Sequence, residues 1–394
     1  MTRTLAVVFA GFCAFLTLFA TQPLLPAFEA IFHASKVAVS LTVTAGTLGV
    51  ALAAPLIGTV ADRLGRKRVI VWSAFLLAAS TLLAATATTL PSLLFWRFLE
   101  GIFTPGVFAI TIAYIQEEWA GAGAGSATAA YVTGTVLGGF TSRVTSGFLA
   151  THFNWQMSFV ALGTLGLIGA AVLARWLPRE RRFVRRSGET STLSAALDHL
   201  RNRNLLATFF AGFCLLFSLL GSFTYITFYL SAPPFHLNSA ALGSLFFVYL
   251  FGAMITPNAG RIIDRYGERL TSAVATASSL AGMLMTLSHV LWVVVSGLAF
   301  ICAGVFVCQS CTNSYIGTAA KHNKALAVGL YVAFYYAGGS VGSSVSGYLW
   351  SLGGWPACVA LFAGIQVLTI VITTFGWDKP QPHISAAALP LTPV

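Results

Sequence analysis

Charge is what this chain has least of. Only 8% of its 394 residues are charged, and just 11 of them are acidic. A water-soluble domain carries roughly a quarter charged residues, so a soluble globular protein is excluded. Six cysteines are scattered singly through apolar stretches, which excludes a disulfide framework. Cys308 and Cys311 form one C-x-x-C, but no second ligand pair or nearby histidine accompanies them, so they read as small packing residues. No Walker A loop is present, leaving nucleotide drive without support. Period-two alternation is also missing, which excludes a membrane β-barrel.

What remains is apolar. Hydrophobic residues make up 57% of the chain and aromatics 13%. At about 20 residues per crossing, twelve helices use roughly 250 residues and leave about ten per connection, so no extra soluble domain fits. Runs bounded by charge or turn residues predict spans over 5–28, 39–61, 69–88, 91–115, 125–149, 156–177, 205–231, 239–263, 270–287, 290–316, 325–350 and 356–377. The first follows a short lead with Arg3 and no small-residue cleavage site, so it reads as a retained span rather than a signal peptide.

The net charge of +11 is a matter of topology. Apart from Lys36, Arg97 and Arg143, every basic residue falls in loops or helix ends that share one side if the N-terminus is cytoplasmic. This is the positive-inside asymmetry. It predicts a multi-pass inner-membrane protein with both termini inside, and accounts for the charge without nucleic acid.

Internal self-similarity defines the architecture. Ala10-Gly11-Phe12-Cys13 recurs as Ala211-Gly212-Phe213-Cys214, and Gly58-x3-Asp62-Arg63-x-Gly65 recurs as Gly260-x3-Asp264-Arg265-x-Gly267. Gly138-Gly139, Ser146-Gly147 and Trp155 recur as Gly338-Gly339, Ser346-Gly347 and Trp355. One spacing kept in order means two parallel six-helix halves. The expected organisation is an N-terminal bundle over 1–177, a linker over 178–204, a C-terminal bundle over 205–377 and a disordered tail over 378–394. Leu193, Leu197 and Leu200 share a face within the linker, predicting a short amphipathic helix.

The loop Gly58–Arg68 carries Asp62, Arg63, Gly65, Arg66 and Lys67 in the pattern G-x-x-x-D-R-x-G-R-[KR]. It resembles the signature loop of the major facilitator superfamily, and the resemblance covers the whole chain. The implied fold is all-α, with twelve transmembrane helices in two pseudo-symmetric six-helix bundles. The implied branch is that of the arabinose-efflux-permease-like drug and sugar proton antiporters. Physically, the glycines allow a tight turn, the basic residues hold the loop inside, and Asp62 and Asp264 can each meet the positive start of a helix in the other half, near Ala325 and Ser126 respectively. A gate of Gly58, Asp62, Arg63, Gly65, Arg66, Asp264, Arg265 and Gly267 follows; a purely topogenic loop is the alternative.

Arg97-Phe98-Leu99-Glu100-Gly101 in the fourth span resembles the superfamily's R-x-x-[QE]-G motif, whose arginine is associated with proton-coupled efflux. Spacing i, i+3 puts both ionisable groups on one face, and Glu100 is the only acid deep in the membrane, which makes this pair the expected proton-coupling site. A self-satisfied ion pair that only fixes packing is the alternative. In the fifth span, Gly138-x3-Ser142-Arg143-x2-Ser146-Gly147 keeps the frame of the antiporter motif G-x3-G-P-x2-G-G, with Arg143 in place of proline. Arg143 either faces the cavity, favouring anionic substrates, or snorkels to headgroups. Thr17, Thr21, Gln22, Ser218, Ser222, Tyr225, Gln309, Asn313, Tyr335 and Tyr336 complete the expected cavity, which suits an organic compound better than an inorganic ion.

The reading is a monomeric secondary transporter, not an enzyme, that needs no cofactor or metal and exports a small organic compound against protons. An importer or facilitator of an anionic nutrient is the first alternative. A lipid-handling membrane protein is the second.

Overall fold

The computed structural model describes residues 2–119, 124–180, 192–320, 322 and 324–378. Among these, every regular element is a helix. The first half contains α1 (Thr2–Phe15), a turn over 16–21, a 3-10 turn at Gln22–Leu24 and α2 (Leu25–Ile31), which together make one crossing. It continues with α3 (Lys36–Leu64), α4 (Arg66–Ala84), α5 (Leu90–Glu118), α6 (Ala124–His152) and α7 (Trp155–Trp176), five more crossings. The linker helix α8 (Thr192–Arg201) leads to α9 (Arg203–Ser231), and α10 (Ser239–Ser244) runs through a 3-10 turn into α11 (Val248–Met285). The last two elements are α12 (Leu291–Ala319) and α13 (Lys324–Gly376). Gly267, at φ 78°, divides α11 into two crossings, and Gly353 and Gly354 divide α13. Six crossings per half result, as the repeat predicts.

Side-chain caps set several helix starts. Ser35, Thr89, Asn154 and Asn238 each accept a hydrogen bond from the backbone N–H three residues on, where a helix leaves donors unpaired. The first span departs from expectation by being broken rather than continuous. The linker over 181–191 and the tail over 379–394 lie outside the described residues. On α8, Leu197 is exposed, His199 is buried and Leu200 packs against the core.

The repeat reappears as packing. A Cβ at Gly138 of α6 would strike the backbone of Phe12 on α1, and one at Gly338 of α13 would strike Phe213 on α9. Ser158 donates to the Ser146 carbonyl at 2.9 Å, and Cys358 to the Ser346 carbonyl at 3.3 Å. Close backbone approach at small residues replaces the hydrophobic drive that lipid removes. The two signature glycines also match, since Gly65 has φ 94° where Gly267 has 78°, a region costly for any residue with a Cβ.

Among the described residues, the halves touch along two seams at one end. We call the end with the Arg63–Arg68 loop the basic end and the opposite one the far end. At the first seam, between α3 and α13, Thr44 lies 2.8 Å from Ser343 and 2.9 Å from Ser344, and Ser340 donates to Thr47 at 2.9 Å. The Tyr225 hydroxyl of α9 joins it by donating to Ser40 at 3.0 Å. At the second, between α6 and α10, Gly147 approaches Ser239 and Gly243, and Ala240 N–H donates to Thr151 at 2.9 Å. Towards the basic end, a Cβ at Gly58, Gly260, Gly317 or Gly329 would meet no described atom within 4 Å. The bundle is closed at the far end and open at the basic end.

Candidate functional site

Breaking a helix frees backbone carbonyls, and in lipid these need donors. Arg97 of α5 supplies them. Its guanidinium donates to the carbonyls of Thr17 at 3.0 Å and Leu18, both in the break, to the Thr42 carbonyl of α3 at 3.3 Å, and to Glu100. Arg97 and Glu100 are both 0% exposed. The arrangement depends on glycine, because a Cβ at Gly46 would press on the Arg97 Nη2 and Leu18 Cδ1 atoms at 3.4 and 3.3 Å. A Cβ at Gly101 would meet the backbone of Gly46, so α3 and α5 could not approach so closely.

The site is only partly satisfied. Thr21 Oγ1 and Gln22 Nε2 are buried without a hydrogen-bond partner, and Glu100 Oε1 has the Thr17 and Thr81 hydroxyls beside it without a well-formed hydrogen bond. A buried acceptor left unpaired costs about 1–3 kcal/mol, and a proton on Glu100 would turn one acceptor into a donor. The chemistry available here is therefore reversible protonation of a carboxyl beside a cation.

Arg143 forms a second cluster from the same break. Its Nε donates to Gln22 Oε1 at 2.8 Å and its Nη1 to the Gly139 carbonyl at 2.9 Å. The guanidinium carbon lies 4.5 Å from the ring centre of Phe19, 4.4 Å from that of Phe246 and 4.8 Å from that of Tyr249. Arg143 is 3% exposed and has no ion-pair partner among the described residues. It sits within the second seam, not on an open cavity wall.

The other expected cavity residues divide between environments. Thr21, Gln22 and Tyr225 are buried on the closed side, Tyr225 beside Trp350 with ring centres 5.9 Å apart. Ser218 is buried with its hydroxyl unpartnered, and Ser222 bonds its own helix at the Ser218 carbonyl. On α12, Gln309 is half-buried and Asn313 exposed. Tyr335 and Tyr336 stand edge to face at 5.6 Å, and Tyr331, tilted against Tyr335 with ring centres 5.8 Å apart, hydrogen-bonds Thr312 at 2.8 Å.

The basic-end loops are organised within each half. Arg66 bridges Asp62 at 2.8 Å and Glu117 at 2.9 Å, while Arg63 is exposed. Glu180 reaches the start of α4, accepting from Lys67 N–H at 3.4 Å. In the second half Asp264 and Arg265 are exposed, with the Arg265 guanidinium 5.3 Å from the Tyr266 ring, and Ser314 donates to Glu268 at 3.1 Å. Among the described residues Asp62 pairs with Arg66 of its own half, and Asp264 is exposed. Cys308 lies 3.1 Å from Ser272, and no metal-holding cluster occurs among the described residues.

Sequence reading missed Phe19, Thr42, Gly46, Phe246 and Tyr249. The small-residue spacing of Gly46 and Gly49 was the available signal for α3. Nothing in sequence ties Phe246 to Arg143.

A two-bundle helical fold with half-broken crossings and buried charges at mid-depth defines a membrane transporter. The family model for the Major Facilitator Superfamily matches residues 7–325 and 232–392, and the chain belongs to that family. It is 33% identical over 375 residues to the uncharacterized MFS-type transporter YybF of Bacillus subtilis, covering 94% of this chain and 92% of that protein. Identity to the inner membrane transport protein YnfM of Escherichia coli is 32% over 375 residues, covering 95% and 90%. Among solved structures, the nucleoside transporter NupG superposes with a TM-score of 0.79 at 15% identity, over 95% of this chain and 100% of that one. The human organic anion transporter MFSD10 gives 0.73 at 19%, over 94% and 99%. These two likenesses establish the shared fold. The chain is a transporter and not an enzyme.

Proposed function

We propose that this transporter moves a small organic compound out of the cell in exchange for protons, alternating between far-end and basic-end openings. The observation that carries the reading is the Arg97–Glu100 pair, fully buried against the break in the first span. A buried carboxyl beside a cation binds or releases a proton according to whether the pair stays intact, which links protonation to conformation. Positive-inside asymmetry supports an inner-membrane protein with the basic end and both termini cytoplasmic, and the internal repeat supports bundles over 1–177 and 205–377 joined by the linker.

The test is proteoliposomes under an imposed pH gradient, with a lumenal pH dye, challenged with a panel of anionic, neutral and cationic compounds. At least one compound is expected to move protons in the opposite direction. Glu100→Gln keeps the shape and a hydrogen bond to Arg97 but cannot titrate. It is expected to lose pH-driven accumulation by at least about tenfold while keeping substrate–substrate exchange. Undiminished accumulation by Glu100→Gln would remove Glu100 as the carrier.

A second reading, import of an anionic nutrient, is favoured by Arg143, which adds a buried positive charge that no described carboxylate offsets. Under that reading Arg143→Ala loses anionic substrates selectively, and Arg143→Lys does not restore them because it lacks the planar fork.

A further inference from the structure

The two seams that close the far end are built from different chemistry. Position 343 on α13 and position 143 on α6 are equivalent under the internal repeat, and both sit where the halves meet. Ser343 meets Thr44 hydroxyl to hydroxyl, whereas Arg143 places a full charge among aromatic rings. Those rings differ in allegiance. Phe19 belongs to the first half, as Arg143 does, and α1 packs along α6 by backbone contact at Gly134 and Gly138. Phe246 and Tyr249 belong to the second half. They also contact each other and Phe223 of α9, so they are fixed to their own bundle.

Alternating access requires the far-end seams to part. When they part, Arg143 keeps Gln22, the Gly139 carbonyl and Phe19, all in its own half, and loses Phe246 and Tyr249. The cation–ring attraction to these two side chains thus exists only in the far-end-closed state. An interaction present in one state and absent from the other biases the equilibrium by its own free energy. Guanidinium suits the role because it is planar, weakly hydrated and permanently charged, so the contact does not titrate with the proton site.

We infer that Arg143, Phe246 and Tyr249 form the latch of the far-end gate, with the guanidinium clamped across the seam by rings of the opposite half. This assignment rests on alternating access in the family fold. It is independent of transport direction and of proton coupling.

The experiment uses the full-length chain in lipid nanodiscs, with nitroxide labels introduced by His152→Cys and His289→Cys. Both positions are exposed at the far end on different halves, and all six native cysteines are buried. Pulsed electron–electron distance measurement reads the ratio of far-end-open to far-end-closed molecules. Phe246→Leu and Tyr249→Leu are each expected to raise that ratio about tenfold, and Phe19→Leu less than threefold, because its contact survives opening. In an Arg143→Gln background the Phe246→Leu shift is expected to fall below threefold, since a double-mutant cycle isolates the cation–ring pair from general packing. Arg143→Lys provides a second background if the glutamine variant does not fold, with the shift reduced at least threefold because an ammonium lacks the planar face. A Phe246→Leu shift of undiminished size in either background would overturn the latch, as would a Phe19→Leu shift as large as that of Phe246→Leu.

Discussion

The α3–α13 seam and the α6–α10 seam close the same gate under a pseudo-two-fold relation, yet they resist opening in different ways. In the first, the serine and threonine hydroxyls have acceptors on their own helices. Ser343 donates to the Gly339 carbonyl at 2.9 Å, Thr47 to Val43 at 3.1 Å, and Ser340 has the Tyr336 carbonyl at 2.9 Å to turn to when it leaves Thr47. Parting this seam frees only the Tyr225 hydroxyl, and water can replace what is lost. The second seam is held by the Ala240–Thr151 hydrogen bond, by backbone proximity at Gly147 and Gly243, by Phe140 against Phe247, and by a guanidinium whose far-side partners are carbon rings. Water can replace the hydrogen bond but none of the other contacts. A symmetric scaffold therefore carries one easily exchanged contact and one selective contact, so the arginine side decides when the gate parts.

The comparison can be broken most severely at glycine. A Cβ at Gly243 would lie 2.6 Å from the Arg143 carbonyl, which is backbone and cannot move aside. Gly243→Leu is expected to wedge the second seam apart, cutting the far-end-closed population by about a hundredfold or more and abolishing turnover. The distance measurement above and flux in proteoliposomes both read this. A closed gate in Gly243→Leu would mean that the seam tolerates far more separation than its geometry indicates.

A smaller effect is expected at the other end of the molecule. If Asp62 and Asp264 reach helix starts of the opposite half when the basic end closes, Asp62→Asn should favour the basic-end-open state by about 0.3–1 kcal/mol, and up to about 2 if the contact is partly buried. Labels on basic-end loops of the two halves would show this as a shift of about two- to thirtyfold in populations. An unchanged distribution would confine Asp62 to its pairing with Arg66 within the first half.

The smallest effect belongs to the hydroxyl seam. Thr44→Val removes the two cross-seam bonds made by Thr44, leaves those of Thr47 and Ser40 in place, and keeps Ser343 and Ser344 bonded to their own helix. A change in gate populations below about threefold is expected. A shift matching that of Phe246→Leu would make the two seams energetically alike.

The span pattern, the halves and the turns at Gly65 and Gly267 were legible because each depends on local chemistry repeated at one offset. Arg97 and Glu100 were legible as a pair because their spacing fixes a common helix face. The break over 16–21 was not. Leu16-Thr17-Leu18-Phe19-Ala20 carries no proline or glycine, and the chain leaves the helix there where donors from α5, some 80 residues away, take the freed carbonyls. Arg143 posed the same difficulty more sharply. Sequence placed it within the fifth span, either facing the cavity or reaching the headgroups, but its surroundings depend on which end of the bundle is open, and a single sequence specifies both states.

The break has one more consequence. Thr17 and Leu18 hand their carbonyls to Arg97, and Phe19 and Gln22, within one turn of them, hold Arg143. Ionic chemistry at Glu100 and mechanical closure at the α6–α10 seam are thus geared through six consecutive residues held by turn-type backbone bonds, Ala20 N–H to Thr17 and Gln22 N–H to Phe19, rather than by a continuous α-helical ladder. A shift in the grip of Arg97 has no rigid helix in which to dissipate before it arrives at the gate. The stretch from Thr17 to Gln22 is the crankshaft of the molecule, and its length sets how much play the linkage allows.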